Sequence, residues 1–244
     1  MKLADGCYQT DDERSMIFNV QFFSKNETRA GEKKIMCVRY LTPDKMEEVQ
    51  QIIDALGNVS IRVPPEELVA RKNPEVGPGV TAPIIVIGRG FDGKDAADRP
   101  TGIMIPGKWG FAKWDGKGLV FNARCESLTT SSFFSPHILR GRCLVPATAY
   151  FEWEHGPGGK RGRKYRIRAK EGGMLFMAGL GRRHPQLGVE YTVVTRPAAS
   201  TVSSIHDRMP LLLDREASLQ WLDPQWNPQL LKRDSVEVLP EWAE

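Results

Sequence analysis

The sequence has few cysteines and no pattern that would join them to a metal. Only four occur in 244 residues, and no two are spaced as the CxxC pairs that bind zinc. They lie far apart, at Cys7, Cys37, Cys125 and Cys143. Scattered cysteines in a chain of this length are typical of reduced thiols in the cytosol. We therefore expect a cytoplasmic protein with no bound metal or other cofactor.

Long apolar runs are also absent, and no segment approaches the length of about 20 residues that spans a bilayer. The first residues lack the basic and then apolar order of a secretory signal. The composition, 41% hydrophobic and 26% charged, is typical of a globular protein. The net charge of +4 favours an anionic partner, without naming one, and the lack of apolar runs argues against a membrane.

Residues 1–36 are polar and show no clear period. We interpret them as a disordered extension, a propeptide or a mis-assigned translation start, ahead of one domain over residues 37–244.

A helix is predicted to begin after Thr42, with Pro43 at its first position, and to end at Gly57. A last helix in "DREASLQWL" has Asp214 as its cap.

Between these helices the chain reads as a series of strands separated by Gly, Asn or Pro. They include "APIIVIG", "GIMIPGKWGF", "GLVFNAR", "RCLVPATAYFEW", "KYRIRAK", "MLFMAGLG" and "VEYTVVT". The stretch "ESLTTSSFFSPHILRG" is the best helix candidate among them. The order indicates an α+β fold: a mainly antiparallel sheet, curled into a barrel, with peripheral helices first and last.

Three segments hold side chains suited to proton transfer or hydrogen bonding. In "FNARCES", strand alternation places Asn122, Arg124 and Glu126 on one face, which is either a solvated surface or part of a site. In "AYFEWEH", Glu152 faces away from its aromatic neighbours and is either an edge residue or a desolvated carboxyl fit for acid–base work. In "SSIHDRMP", His206 is either an ordinary loop residue or a group that titrates near neutral pH.

Basic and aromatic residues indicate a nucleic-acid partner. Seven Lys or Arg fall in "KRGRKYRIRAK", where Arg166 and Arg168 share a strand face. Together with other arginines these residues form either a solvated hairpin or a groove for a phosphate backbone; the others are Arg39, Arg124, Arg140, Arg142, Arg182, Arg183 and Arg208. Trp109 and Trp114, in "GKWGFAKWDG", belong either to the core or to a surface that stacks on bases.

Four segments in this order, "MC-x-R", "NAR-x-E", "FEW" and "IHDRMP", resemble the SOS response-associated peptidase (SRAP) family. The resemblance runs from Cys37 to about Leu222. Members of this family process abasic sites and crosslink to DNA. Their working chain begins at the cysteine, whose amine and thiol together trap the sugar aldehyde as a thiazolidine. The resemblance thus implies a monomer that shields abasic sites in single-stranded DNA, through Cys37.

The same resemblance implies roles for other residues. Asn122 would hold the amine or the sugar, Glu152 would shuttle protons, and His206 would assist ring opening and reversal. Phosphates would be held by Arg39, Arg124 and Arg208, with Arg166 and Arg168 extending the basic surface, and Trp109 or Trp114 would abut bases. Two positions depart from the family: Val38 replaces the usual Gly, and Glu75 stands where Asn is common.

Residue types alone leave two other functions open. One is a cysteine peptidase or amidohydrolase that uses Cys37, Glu152 and His206. The other is a non-enzymatic nucleic-acid-binding module that uses the basic face. Two explanations of residues 1–36 also compete. Translation begins at Met36 and that methionine is then removed, or the chain is cut before Cys37, by the protein itself or by another peptidase.

Overall fold

The computed structural model describes residues 39–57, 59–61, 73–87, 102–155, 161–233 and 236–243. Cys7, Cys37, Val38 and the segment "PPEELVARK" lie outside these residues. The strands are β1 Arg39–Leu41, β2 Val59–Ile61, β3 Glu75–Val76, β4 Thr81–Ile87, β5 Gly102–Trp109, β6 Phe111–Ala112, β7 Leu119–Val120, β8 Asn122–Arg124, β9 Arg142–Ala147, β10 Ala149–His155, β11 Arg161–Ala169, β12 Leu175–His184, β13 Gly188–Pro197, β14 Arg208–Pro210, β15 Leu212–Leu213 and β16 Val238–Ala243.

The helices are α1 Met46–Leu56, α2 Ser135–Arg140, α3 Ser200–Ser203 and α4 Arg215–Leu222. Short 3-10 helices cover Cys125–Ser127 and Pro228–Lys232.

A closed barrel of five strands lies at the centre of the fold. Neighbours pair in the order β13-β12-β9-β4-β5, and β5 returns to β13 in parallel, with Tyr191 opposite Trp109. The other four pairings around the ring are antiparallel. Strands β2, β8, β14 and β15 add to the edges of this barrel. The predicted fold, a mainly antiparallel curled sheet with peripheral helices, is therefore confirmed.

A second sheet of five antiparallel strands packs on the barrel in the order β16-β11-β10-β1-β3. β1 lies inside this sheet between β10 and β3, so this strand is held on both edges. Strand β16 corrects the prediction that a helix comes last. The chain after Pro224 ends in an edge strand paired with β11, and its alternation was too irregular to indicate one.

Alternation along the barrel strands divides the buried side chains between two cores. One core joins the barrel to the five-stranded sheet and contains Tyr40, Trp109, Tyr150 and Tyr191. The other joins the barrel to the helices through α1, α2 and α4, and contains Trp221. The barrel is thus a middle layer, with the five-stranded sheet on one side and the helices on the other.

Helix α1 ends as the sequence predicts but begins later. Gly57 adopts the left-handed conformation at φ 75°, and its N–H donates to the Ile53 carbonyl at 2.7 Å. The start lies at Met46 because Thr42 continues the strand instead, donating its N–H to the Pro74 carbonyl at 3.0 Å. Asp214 caps α4 as predicted, since its Oδ1 accepts from the Ala217 N–H at 2.8 Å.

Arg142, one of the arginines considered for a phosphate groove, is buried instead. Its guanidinium donates to the Trp221 carbonyl at 2.7 Å, the Asp223 carbonyl at 2.6 Å and the Leu139 carbonyl at 3.2 Å. It therefore binds the carbonyl ends of α2 and α4, which have no partners within their own helices. Burial lowers the pKa of Arg142 to about 10, so the side chain remains charged at neutral pH.

We expect Arg142→Met to destabilise the fold by about 2–4 kcal/mol, because it leaves several buried carbonyl oxygens without donors. Urea denaturation measures the free energy of unfolding. Arg140→Met is the matched control, since Arg140 is exposed two residues earlier at the end of α2, and it should cost little. Equal losses for the two variants would contradict a structural role for Arg142.

Candidate active site

Glu152 is a buried carboxyl, only 1% exposed, in the middle of β10. It lies opposite Tyr165 of β11, on the same face as Tyr150, which belongs to the core shared with the barrel. Phe151 and Trp153 point to the opposite face, as alternation predicts, with the Lys164 ammonium 3.9 Å from the Phe151 ring centroid. The interpretation of Glu152 as an exposed edge residue is therefore wrong, and the desolvated carboxyl is the one observed.

Asn122 begins β8, which runs parallel to β13 with Asn122 opposite Val193. The residue before it is fixed by two donors. The indole Nε1 of Trp109 donates to the Phe121 carbonyl at 2.8 Å, and the Val193 N–H donates to the same oxygen at 3.0 Å. The amide oxygen of Asn122 is itself buried. Asn122 is thus held in a defined position on the barrel edge.

Trp109 belongs to the core, which settles one alternative left open by the sequence. Its side chain is 0% exposed, stacks on Tyr191 at 6.4 Å between ring centroids and meets the edge of Tyr40 at 5.2 Å. Trp109 therefore cannot abut a base in this conformation and acts on the site by holding Phe121. Trp114 is the opposite case: it is 98% exposed in the turn between β6 and β7.

His206 is buried in the loop between α3 and β14. Its Nδ1 accepts the Arg208 backbone N–H at 2.9 Å, so the neutral ring carries its proton on Nε2. The Asp207 carboxylate lies 3.3 Å from the same Nδ1 and the Arg208 carbonyl lies 3.2 Å from it. The backbone of Arg208 thus fixes the orientation of the ring, which also lies beside a carboxylate.

Arg208 joins this loop to the segment after β8. One of its nitrogens, Nη2, donates to Glu126 at 2.9 Å and to the Thr195 carbonyl at 2.8 Å, and Nη1 donates to the other Glu126 oxygen. The register places Thr195 between Arg124 of β8 and Pro210 of β14. Arg124, Arg208 and the His206 loop therefore meet around one end of β13, whereas Glu152 belongs to the other sheet.

Glu126 does not continue the polar face of the strand, as alternation had predicted. β8 ends at Arg124 and the chain turns into a 3-10 helix, because the Glu126 carboxylate is drawn to Arg208. Burial alone would raise the pKa of Glu126, but the hydrogen bonds and charge of Arg208 outweigh it, so the pKa lies below its ordinary value.

The other predicted phosphate-binding arginines lie on the face of the five-stranded sheet that points away from the barrel, called here the outer face. Arg39 sits opposite Phe151 and contacts Glu75 at 3.2 Å. Arg166 is exposed on β11, and Arg168 binds Glu241 of β16 at 2.6 Å. These side chains form one basic surface with Lys164. Lys164 lies two residues before Arg166 in the same strand, so alternation puts both on the same face.

A hydrogen bond between two tyrosines joins the two sheets near the start of the domain. The Tyr40 and Tyr191 hydroxyls are 2.5 Å apart, which links β1 to β13 across the shared core. Cys37 itself lies outside the described residues, so its thiol has no position here. Its nearest described neighbour is Arg39, at the start of β1.

Two further thiols and one further arginine have structural surroundings. Cys125 and Cys143 are both buried and unbridged, and burial raises the pKa of each thiol. Arg182 donates to the buried Glu190 carboxylate at 2.8 Å and to the Ala112 carbonyl at 2.6 Å, so it anchors the β6–β7 hairpin.

Among the described residues, no three His, Cys, Asp or Glu side chains come close enough to hold a metal ion. No described helix is long and apolar enough to cross a bilayer.

Comparison with known proteins places this arrangement in a family. The model of the SOS response associated peptidase (SRAP) family matches residues 36–240. The chain belongs to the SRAP family. The match begins at Met36, immediately before Cys37, and includes Asn122, Glu152 and His206.

Curated relatives of the SRAP domain are named for one process. The abasic site processing protein YedK of Escherichia coli is 35% identical over 123 residues, which are 49% of this chain and 54% of that protein. The abasic site processing protein HMCES of Gallus gallus is 29% identical over 158 residues, 52% of this chain and 47% of that protein. The aligned part of the chain thus spans about half the length of these relatives.

Solved structures agree on the fold. A protein from Bacteroides thetaiotaomicron superposes with a TM-score of 0.66 at 20% identity, covering 85% of this chain and 92% of that one. A phage-related protein from Bordetella bronchiseptica gives a TM-score of 0.61 at 24% identity, covering 84% of this chain and 94% of that one. These likenesses support the barrel with its packed sheet.

Sequence reasoning missed the residues that act through contacts between distant segments. Tyr40 and Tyr191 are 151 positions apart, and no local pattern signals their hydrogen bond. Glu75 stood out only as a departure from the family, without its ion pairs to Arg39 and Lys164. Thr195 carries no motif, although its carbonyl binds the SRAP domain's Arg208.

The Glu126–Arg208 pair predicts a pH dependence of stability. Because the folded pKa of Glu126 lies below the ordinary value of 4.5, the pair stabilises the fold above that value and is lost as pH falls through the folded pKa. The melting temperature of Glu126→Gln should therefore lie below wild type at neutral pH, and the difference should shrink below about pH 4.5. Glu171→Gln, in an exposed turn, is the control and should show no such trend. A difference that stays constant with pH would contradict this account.

Proposed function

We propose that this SRAP domain processes abasic sites by forming a covalent thiazolidine between Cys37 and the sugar aldehyde. The observation that carries the proposal is the buried Glu152 carboxyl beside β1. Arg39 lies opposite Phe151, the neighbour of Glu152, and Cys37 precedes Arg39 by two residues. Two peptide units span at most about 7–8 Å between Cα atoms, and the proposal requires the amine and thiol of Cys37 to lie near this part of β10.

The chemistry requires Cys37 to be the first residue of the working chain. Its free α-amine attacks the C1′ aldehyde of the opened sugar and, with loss of water, forms an imine. The thiolate then attacks the imine carbon, the nitrogen takes up a proton, and a five-membered thiazolidine closes. The second step is intramolecular, with an effective concentration on the order of 10⁵ M or more for well-oriented groups. An internal cysteine cannot react in this way, because its nitrogen is an amide.

Glu152 is the proposed proton shuttle for this sequence. Imine formation needs a proton delivered to the departing hydroxyl, and ring closure needs one returned to the nitrogen. Glu152 is only 1% exposed, so the proposed proton transfer would take place away from bulk water. Asn122, whose amide oxygen is buried on the barrel edge, is proposed to hold the amine or the sugar by hydrogen bonds.

His206 is the proposed partner for sugar ring opening and for reversal of the crosslink. Its Nδ1 accepts the Arg208 N–H, so the neutral ring carries its proton on Nε2. An imidazole held in one orientation suits a group that gives and takes a proton in turn. The backbone of Arg208 fixes its orientation, which couples ring and guanidinium in one loop.

The proposed DNA-binding surface combines arginines with one exposed ring. Arg124 and Arg208 at the end of β13 would hold phosphates beside the lesion, and Arg39 with Arg166 and Arg168 would extend the path over the outer face. Trp114, almost fully exposed in its turn, would stack on a base. Single-stranded DNA is the proposed substrate, because no partner strand shelters its lesion, and the domain is proposed to act as a monomer over residues 37–244.

Residues 1–36 must be absent from the working form in this proposal. Either translation begins at Met36 and the methionine is removed, or the chain is cut before Cys37. The family match that starts at Met36 supports a working chain beginning at the cysteine.

The test mixes protein beginning at Cys37 with a single-stranded oligonucleotide that contains one abasic site. We expect a band on a denaturing gel that survives boiling and is lost with Cys37→Ala. Cys37→Ser should leave only a Schiff base that borohydride traps, because its amine remains and its thiol does not. Peptide turnover without a DNA adduct would instead support the peptidase or amidohydrolase. A salt-sensitive shift in native gels alone would support a binding module.

Glu152→Gln should slow crosslinking by about 10²-fold or more, the contribution typical of general acid–base catalysis. The rate is measured as the build-up of the boiling-resistant band with time. Glu154→Gln is the matched control on the same strand, where the carboxylate accepts from the Tyr165 hydroxyl, and it should crosslink normally. A Glu152→Gln variant that crosslinks at the wild-type rate would overturn the assigned role.

Arg124→Ala should weaken binding of single-stranded DNA and flatten the dependence of affinity on salt, since one phosphate contact is lost. Fluorescence anisotropy at several salt concentrations measures both. Arg140→Ala removes the same charge from the exposed end of α2 and should leave both quantities unchanged. Equal effects of the two variants would place the DNA elsewhere.

A further inference from the structure

Glu75 holds two of the cations on the outer face at once. Its Oε1 lies 3.2 Å from Arg39 Nε, and its Oε2 lies 3.3 Å from Lys164 Nζ. The three side chains are 36%, 29% and 27% exposed for Arg39, Glu75 and Lys164, so solvent and ligands reach all of them. The carboxylate therefore occupies the same groups that a DNA phosphate would need.

The carboxylate is reached from strands on both sides of β10. Glu75 stands on the edge strand β3, Arg39 on the neighbouring β1, and Lys164 on β11, beyond β10. Lys164 crosses the Phe151 ring at 3.9 Å and lies 5.6 Å from the Trp153 ring centroid. Its ammonium thus lies over β10, on the side that faces β1.

A close backbone approach keeps this arrangement in place. The Arg39 guanidinium passes so near Gly77 that an added Cβ there would lie 1.9 Å from Nη1. The Glu75 N–H is itself held by the Asn73 side chain at 2.9 Å. Arg39 thus lies against a bare stretch of backbone, turned toward Glu75.

We propose that Glu75 competes with DNA phosphate for Arg39 and Lys164, and thereby lowers the affinity of the protein for undamaged single-stranded DNA. This inference rests on the proposed function. Partly exposed ion pairs are weak, so a phosphate displaces the carboxylate readily. After displacement the carboxylate remains beside the phosphate and repels it. Intact DNA is then released, and lasting retention depends on the covalent step at an abasic site.

The experiment measures equilibrium binding of the full chain to an intact, fluorescent single-stranded oligothymidylate by anisotropy at fixed salt. Glu75→Gln should bind about three- to tenfold more tightly than wild type, in keeping with the modest strength of exposed ion pairs. Glu237→Gln is the matched control: it makes the same change in net charge and breaks a carboxylate–lysine pair, to Lys170 at 2.7 Å. That control should leave the affinity unchanged.

A Lys164→Gln background separates local competition from an effect of overall charge. There the gain from Glu75→Gln should become smaller, since one of the two competed cations is gone. Unchanged or weaker binding by Glu75→Gln, or an equal gain with Glu237→Gln, would overturn the inference. The proposed function fails by a different result, the absence of a boiling-resistant adduct between the wild-type chain beginning at Cys37 and abasic DNA.

Discussion

The placement of β1 is the constraint on which the candidate site depends. This short strand is paired on both edges, and the hydroxyl of Tyr40 joins it to Tyr191 of the barrel. Arg39–Leu41 are therefore fixed relative to both sheets. In the proposed function this strand limits the freedom of the nucleophile, which precedes it by two residues in the sequence.

The polar side chains around this strand differ in their exposure to solvent. Glu152 lies on the buried face of β10, while Arg39 and Lys164 lie on the opposite, partly exposed face of the same sheet. The thickness of one sheet thus separates the proposed proton shuttle from the proposed phosphate-binding cations. His206 and Arg208 repeat the arrangement on the barrel side, with the ring buried and the guanidinium paired to a half-exposed carboxylate.

The sequence predicts those features of the fold and the site that depend on local residue patterns. Alternation gives most of the long strands and the opposed faces of Glu152 and Trp153, and a glycine in the left-handed conformation ends α1 where expected. The sequence does not predict what depends on distant partners. The sequence leaves Trp109 open between the core and base stacking, and it includes Arg142 among the candidates for a phosphate groove, whereas the structure buries both. Strand β16 has no clear pattern because it is an edge strand. Ion pairs such as Glu75 with Lys164 likewise emerge only from the register of the sheet.

The central claim is that the working polypeptide begins at Cys37 and that its amine and thiol carry the crosslink. Intact-mass measurement of the protein isolated from its native host, followed by peptide mapping of the adduct formed with abasic DNA, tests it most directly. We predict a chain whose mass begins at Cys37 and an adduct confined to that residue. A chain that retains residues before Cys37 and still forms the adduct, or an adduct on any other residue, would contradict the account.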